Sequence, residues 1–521
     1  MAIDNPNKSK SMNNYTYPIL LNGPLMFRSG GLGISAIRRA KLLSDSGGWP
    51  VILVNALEPQ LPGEVIQLQE AGRLGKNTEI RSILHDFMNI PRKSKTPSGE
   101  PCRFDREKFR CEKDSKYNHL EHYYDDDVKI ASANLGSITN LIIISLLKNK
   151  KRHQILHVDH DYNILKRETL GVNGKVVLSE YLNRAGECFL SCQYLGDGNV
   201  DLTLYGSQWE SISFDNETQM VLFWLENFNK DILENNVVIT EWAYNLDLMR
   251  GVKEKLNCKF AIQFHNNHFV GNRRYGEIQP QLEEQIDFAL ASGRVVVLTQ
   301  EQKIDLLKSG SNLDDVSVIP HVIEGAPAGV SRDSKKIVMM SRFSAEKQIQ
   351  EFLEVFPRVL DRVPDAKLEL WGRGPLAAEY QKTIDEKGLR HSVKICGFTD
   401  NSLEIYSGSA VAVFASKYEG FNMSLIESVV AGAVPVAFDF KYGPRYAIED
   451  GVTGLITDVD NFNELADSVA LLLEQPNLRD EMSRRGVARI AATNTTERLS
   501  CDWATLYKSL GAPTGASSAR S

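Results

Sequence analysis

Cysteine is scarce. Cys102, Cys111, Cys188, Cys192, Cys258, Cys396 and Cys501 are the only seven in 521 residues, an odd and scattered set that excludes a disulfide framework. A reducing, cytoplasmic setting is the expectation. The nearest pair, Cys188 and Cys192, alternates with apolar residues in AGECFLSCQYL and has no second CxxC partner, so it reads as a strand and not as a metal site. Long hydrophobic runs are missing too. The longest, Leu141 to Leu147, is interrupted by Ser145 and is too short to span a bilayer, and the opening MAIDNPNKSKSMNNYT has no apolar signal region. At most peripheral contact with the inner face of a membrane is expected. Cations are in deficit as well, with 60 Lys and Arg against 67 Asp and Glu and a net charge of -7. No nucleic-acid partner is expected, and any anionic partner must be met by a local patch.

The composition that remains, 42% hydrophobic and 24% charged, is that of an ordinary globular protein long enough for several domains. The stretch from Tyr17 to Phe27 predicts a strand, followed by Ser29-Gly30-Gly31-Leu32-Gly33 and a helical pattern to Gly47-Gly48. Pro50 to Asn55 predicts the next parallel strand, so the chain opens as a Rossmann-like α/β unit. From Leu61 to Asp215 the pattern changes to strand-like alternation, as in Gln154–Val158, Lys175–Leu182, Cys188–Tyr194 and Asn199–Tyr205. After it, Val237–Thr240, Lys259–Phe264 and Arg294–Leu298 resume the α/β series. A second series begins near Lys336, with strands predicted at Val338–Ser341, Lys367–Trp371, Ser392–Cys396, Val411–Ala415 and Val434–Phe438. The expected organisation is therefore a discontinuous first domain (15–60 and 216–325), a β-rich insertion (61–215) and a second Rossmann-like domain (326–495). A helix (496–512) is expected to return to the first domain, ahead of a disordered tail (513–521).

Two motifs carry chemistry. In Met340-Ser341-Arg342-Phe343-Ser344-Ala345-Glu346-Lys347, a strand ends and two cations stand at the entry to a helix, a place where free N–H groups and the helix dipole already favour an anion. A guanidinium and an ammonium together can neutralise a diphosphate without a metal. In Glu419-Gly420-Phe421-Asn422-Met423-Ser424-Leu425-Ile426-Glu427, again after a strand, two carboxylates are placed to accept pairs of hydroxyl hydrogen bonds, while N–H groups of residues 421 to 424 face phosphate. Ser424-Leu425-Ile426-Glu427 equally fits a capping box, which would explain Glu427 by helix capping alone.

Taken in order, Gly30 to Gly33, Arg342 with Lys347, Gly372-Arg373-Gly374-Pro375, Gly397-Phe398 and Glu419 to Glu427 resemble the family 4 retaining glycosyltransferases of the GT-B fold, over about 500 residues. The insertion, Phe264-His265-Asn266-Asn267-His268 and Lys441-Tyr442-Gly443-Pro444-Arg445 are similar to the poly(glycerol-phosphate) α-glucosyltransferases and other wall-teichoic-acid α-glycosyltransferases. The enzymes that glycosylate serine-rich adhesins carry a similar insertion. The resemblance implies an α/β protein with two Rossmann-like domains facing a cleft. It would move glucose or N-acetylglucosamine from a UDP-sugar to a poly(polyol phosphate), or alternatively to a Ser/Thr-rich protein. A third reading is a non-catalytic GT-B glycan-binding subunit, although such proteins tend to lose the donor-site residues that are intact here.

Roles carry over on matching positions. Arg342 and Lys347 would hold the donor diphosphate and stabilise departing UDP, so no metal or other cofactor is expected. Glu419 would bind the donor sugar and Glu427 the ribose, with Phe421, Asn422, Met423 and Ser424 around the phosphates. Gly31, Gly33 and Gly372 would admit close backbone approach, and Gly397 and Phe398 would flank the uracil. His265 or His268 would stand near the anomeric centre, a choice the sequence leaves open. Asn422 replaces the Gly frequent in relatives and tolerates the same left-handed backbone. No side-chain nucleophile is evident, which implies front-face displacement. For an anionic acceptor, cations at Lys148, Lys150, Lys151, Arg152 and His153, and at Arg273 and Arg274, are candidates, whereas Asp125-Asp126-Asp127 reads as solvated acid. The resemblance also implies a homo-oligomer, such as a trimer, built through the insertion and able to hold one polymer at several sites.

Overall fold

The computed structural model describes residues 16–21, 31–90, 103–117, 119–135, 141–196, 198–206, 211–241, 245–272, 276–308, 316–323, 325 and 329–512. Cys102, Arg273, Arg274 and the tail 513–521 lie outside them. The chain divides into two compact units, Met1–Lys259 with Ala512–Ser521, and Phe260–Gly511.

In the first unit, β1 (Thr16–Leu21), β2 (Trp49–Val54) and β3 (Glu79–Ser82) are parallel neighbours, and the later strand Val237–Glu241 lies on the other side of β1, also parallel. Runs such as PILL and VILV are buried on both faces because helices cover them. The α/β rhythm does not stop at residue 61 as expected. The helix Leu61–Glu70 leads into β3, whose short and half-polar EIRS carries no apolar signal in the sequence.

Ten strands follow: β4 (Arg110–Lys113), β5 (Leu120–Asp125), β6 (Val128–Asn134), β7 (Ile142–Lys148), β8 (Lys151–Val158), β9 (Ile164–Leu170), β10 (Val176–Leu182), β11 (Cys188–Tyr194), β12 (Val200–Leu204) and β13 (Ile212–Phe214). Each pairs with its neighbours in sequence to form one antiparallel meander. Its core is a cluster around Tyr123, Ile144, Leu156 and Phe104, with Phe104 edge-on to Tyr123 at 5.2 Å. The strand Val237–Glu241, β14, then returns the chain to the parallel set.

The second unit holds β15 (Lys259–Gln263), β16 (Gly293–Val297) and β17 (Val316–Val318), parallel to one another. It also holds a six-stranded all-parallel sheet of β18 (Asp333–Met340), β19 (Lys367–Trp371), β20 (Val393–Gly397), β21 (Ser409–Phe414), β22 (Val434–Phe438) and β23 (Leu455–Thr457). The order β20-β19-β18-β21-β22-β23 is the doubly wound order, and it reverses direction between β18 and β21. The helix Ile349–Arg362 covers this sheet with Ile349, Phe352, Leu353, Phe356 and Val359, a stripe at helical spacing.

The histidine segment lies in the unit that carries Arg342 and Glu419. Two features bind them: a Cβ on Gly420 would stand 1.9 Å from the His265 carbonyl oxygen, and Lys441 is ion-paired to Asp305. The helix Thr496–Ser509 also lies in this unit, and Arg294 of β16 donates to Ser509 Oγ at 3.4 Å. Among the described residues, no helix is long and apolar enough to cross a membrane.

Candidate active site

At the reversal point of a doubly wound sheet, the loops leaving two adjacent strands diverge and open a crevice at the strands' carboxyl ends. Here those are the loop after β18, carrying Arg342 to Lys347, and the loop after β21, carrying Ser416 to Asn422. Backbone hydrogen bonds stitch the neighbouring loops to them. Phe343 N–H donates to Arg373 O at 2.9 Å, Gly372 N–H to Gly397 O at 2.7 Å, and Lys417 N–H to Glu346 O at 2.9 Å. Gly372 is required in this arrangement, since its φ of 146° and a Cβ position 1.8 Å from Ser341 O leave no space for a side chain.

The two cations of the first motif differ in setting. Lys347 is 11% exposed and its Nζ lies 2.6 Å from Glu419 Oε1, itself 19% exposed and accepting from Ser416 Oγ at 2.9 Å. Arg342 is 74% exposed and touches Glu346 at 3.2 Å. Nothing in the sequence hints that Lys347 and the first carboxylate of the second motif are partners. An ammonium has three donors, so Lys347 can keep Glu419 in place and still turn a proton toward an incoming oxyanion.

The capping-box explanation of Glu427 fails. The helix is Met423–Val430 and its N-cap is Asn422, whose side chain accepts from Leu425 N at 3.1 Å, so Glu427 lies beyond the position from which a capping carboxylate reaches back. Glu427 is buried and accepts from Ser402 Oγ at 2.9 Å. A buried carboxylate that does not cap its helix and already accepts from a serine hydroxyl has the chemistry for recognition of hydroxyls. Asn422 adopts φ 57°, the left-handed conformation expected of it. The Phe421 ring is buried, edge-on to His321 at 5.3 Å, so only its backbone can face a ligand. Met423 and Ser424 form the helix's first turn. Phe398, 45% exposed, follows Gly397 (φ 83°) and lies under the Arg373 guanidinium at 4.8 Å.

The histidine segment follows β15. His265 is half-buried and stacked on His321, with Nδ1 3.3 Å from His321 Nε2. His268 is wholly buried, and its Nδ1 faces the Tyr442 hydroxyl at 3.4 Å. Tyr442 donates to Asp305 Oδ2 at 3.0 Å, and Asp305 also holds Lys441, with both members of that ion pair 3% exposed. Burial pushes the His268 imidazole down to about 4, a shift that Asp305 opposes and Lys441 reinforces. His268 is therefore neutral and enclosed, and His265 is the member with partial access to solvent. Glu419 N–H donates to Lys441 O at 2.8 Å and Tyr442 N–H to Glu419 O at 2.7 Å, so the buried cluster holds the Glu419 backbone in position. Asp305 was invisible in the sequence because QEQKIDLLK is an ordinary amphipathic helix. Lys441, a single cation directly after the apolar β22, was the better signal.

The remaining candidates belong to the first unit. Gly31 opens the helix Gly31–Asp45 of the first unit, and Gly33 is buried within it. Lys148 and Lys151 face each other across a two-residue hairpin turn, Asn149-Lys150, with positive φ at both central positions. Lys150, Lys151 and Arg152 are exposed, and His153 is half-buried. Asp125 to Asp127 form another hairpin tip and are solvated, as expected.

Residues 322–489 match the family model of glycosyl transferases group 1. A poly(glycerol-phosphate) alpha-glucosyltransferase of Bacillus subtilis is 22% identical over 89% of this chain and 71% of its own. A poly(ribitol-phosphate) alpha-N-acetylglucosaminyltransferase of Staphylococcus aureus is 23% identical over 92% and 97%. The crystal structure of S. aureus TarM superposes with a TM-score of 0.78 at 21% identity, covering 95% of this chain and 99% of that one. That of the pneumococcal O-GlcNAc transferase GtfA does so with 0.67 at 16%, covering 95% and 99%. Doubly wound sheet, switch-point loops, family match and whole-chain likeness agree: the chain has the GT-B fold, matches glycosyl transferases group 1 over 322–489, and is similar along most of its length to the wall-teichoic-acid α-glycosyltransferases.

Proposed function

We propose that the protein transfers glucose or N-acetylglucosamine from a UDP-sugar to hydroxyls of a poly(polyol phosphate) of the wall-teichoic-acid type, with retention of configuration. The observation that carries this reading is the Lys347–Glu419 pair at the topological switch point, with the buried Glu427 on the adjoining helix. The donor's leaving group is a diphosphate, and the charge that develops on it as the glycosidic bond breaks is met by Lys347 and Arg342 beside a helix N-terminus. Glu427 accepts ribose hydroxyls, Glu419 accepts hydroxyls of the sugar, and Gly397 and Phe398 flank the uracil. His265 lies nearest the anomeric carbon, and His268 positions the segment. The acceptor oxygen attacks C1 on the face from which UDP departs. The C1–O bond to phosphate breaks, the C1–O bond to the acceptor forms, and the acceptor proton passes to the leaving phosphate oxygen. The two cations make a metal unnecessary for this step.

The polyol-phosphate acceptor is favoured by the names of the two relatives that align along most of the chain. The TarM structure that contains UDP and alpha-GlcNAc-glycerol supports the same donor and acceptor chemistry. A cytoplasmic location and assembly through the antiparallel sheet accompany this reading. The test is UDP release from UDP-glucose and UDP-N-acetylglucosamine in EDTA, with and without poly(glycerol phosphate). Polymer-dependent release with an α-linked product is expected. A β-linked product overturns retention, and loss of activity in EDTA overturns metal independence. Release that needs a Ser/Thr-rich protein moves the acceptor to that class, and failure to bind UDP leaves a glycan-binding subunit.

A further inference from the structure

The first unit contains a cavity of about 360 Å³ where the loop leaving β2 meets the antiparallel sheet and the starts of the helices Glu217–Phe228 and Leu246–Leu256. We infer that this cavity is a second carbohydrate site, which takes a neutral hexose residue of the kind the enzyme transfers. The inference rests on the transferase reading for the identity of the sugar and on the lining for its chemical class. One wall is a single face of the sheet. Ser179 of β10 stands opposite Cys192, Cys192 opposite Leu202 and Tyr194 opposite Val200, so Tyr181, Cys192 and Tyr194 point the same way.

Tyr181 is buried deep in this wall and Tyr194 is exposed at its rim, which sets an aromatic floor and an aromatic edge. Around them stand Asn55, the exposed Glu217 carboxylate, Thr218 and Asn245, which donates to Thr218 Oγ1 at 2.7 Å. Amide, hydroxyl and carboxylate groups over aromatic faces suit a polyhydroxylated ring, whose hydroxyls pair with the polar groups and whose C–H face lies on a tyrosine. Lys166, whose Nζ stands 5.3 Å from the centre of the Tyr181 ring, is held by Glu168 at 2.6 Å, and no Lys or Arg lines the cavity itself among the described residues, so a phosphate would meet an already paired cation and the exposed Glu217. The volume lies in the range of small-molecule pockets and accommodates a monosaccharide. An acceptor polymer that already carries sugars could therefore be held by its substituents at this site.

The test is saturation-transfer NMR with methyl α-D-glucopyranoside and methyl N-acetyl-α-D-glucosaminide, in the presence of saturating UDP. The samples are the full-length protein and its Tyr194→Ala, Glu217→Gln and Lys347→Ala variants, each checked for folding by thermal melting. Saturation transfer to one of the glycosides, with affinity weakened roughly tenfold by Tyr194→Ala and a few-fold by Glu217→Gln but kept in Lys347→Ala, is expected. A signal that vanishes in Lys347→Ala and persists in Tyr194→Ala places the sugar at the donor site and overturns the inference, as does the absence of any signal. Polymer glycosylation by a protein that shows no Tyr194-dependent signal refutes the cavity as a sugar site and leaves the transferase reading standing. A Tyr194-dependent signal in a protein that transfers neither sugar does the reverse.

Discussion

Along β21 and β22 of the second unit, every residue of SAVAVF and VPVAF is buried, whereas along β5 and β8 of the first unit buried positions alternate with half-exposed and exposed ones. The contrast follows from how each sheet is covered. A parallel sheet is wrapped on both faces by its crossover helices, so side chains along its strands have nowhere to meet a ligand, and chemistry is confined to the loops at the carboxyl ends. An antiparallel meander has one face free and sharp hairpins at its ends, so it can recognise through a face or a tip. Lys347, Glu419 and Glu427 belong to the first kind of site. The Tyr181–Tyr194 face and the Asn149-Lys150 turn belong to the second.

The largest effect that would break this division is at Lys347. Lys347→Ala removes the largely buried cation proposed to meet the departing diphosphate and also leaves Glu419 without its ion-pair partner. We expect kcat to fall by roughly 100- to 1,000-fold with the fold retained, although the melting temperature should drop because Glu419 loses a largely buried partner. Near-normal turnover in steady-state assays would refute the diphosphate role. Glu427→Gln acts one step farther from the bond that breaks. It keeps the shape and loses the charge, so the KM for UDP-sugar should rise roughly tenfold while kcat changes less. An unchanged KM would return Glu427 to a packing role around Ser402.

The parallel sheet was legible because its signals are local. Strand, turn and helix recur in order, and Lys367–Trp371 and Val434–Phe438 have the predicted bounds. Arg342, Lys347, Glu419 and Glu427 could be singled out because each lies within a short reach of a strand end, on the loop or the first turns of the helix that follows. Pairings across distance were not legible. Nothing in the sequence couples Lys347 to Glu419, Ser402 to Glu427, or Asp305 to Lys441, since each pair is made by topology. At the border of the antiparallel sheet the weak point was β3, whose polar EIRS hides a parallel neighbour of β2 and set the expected start of the insertion too early. The different burial of His265 and His268 was not legible either, since two histidines three residues apart do not reveal it.

That burial has a smaller, pH-dependent effect. His268 is held near 4 in the folded protein against an ordinary 6.5, so between these values the unfolded chain binds a proton that the native state refuses. No stability is lost through this group above pH 6.5, and the loss grows as the pH falls toward 4, up to about 3 kcal/mol. His268→Gln, which keeps a polar group near Tyr442, should flatten that part of the slope in urea denaturation measured from pH 7 to 4. An identical slope in the variant would place the acid sensitivity elsewhere.

The smallest expected effect tests the other half of the comparison. The tip of β7 and β8 presents Lys150, Lys151 and Arg152 to solvent on a rigid two-residue turn, with Lys148 across the ladder. Exposed cations hold a polyanion by releasing its counterions, a contribution that is modest for each cation and weakens as salt rises. Replacing Lys150, Lys151 and Arg152 by Ser should raise the KM for poly(glycerol phosphate) a few-fold at low salt, as expected for roughly one to three fewer neutralised phosphates, and should make that KM less sensitive to salt. The KM for UDP-sugar should stay constant, because the donor residues sit at strand ends of the parallel sheet and not on the hairpin. If polymer KM and its salt slope are both unchanged, the hairpin is only a solvated turn. Polymer recognition by the antiparallel sheet would then rest on its Tyr181–Tyr194 face, where a neutral sugar and not a phosphate is the group held.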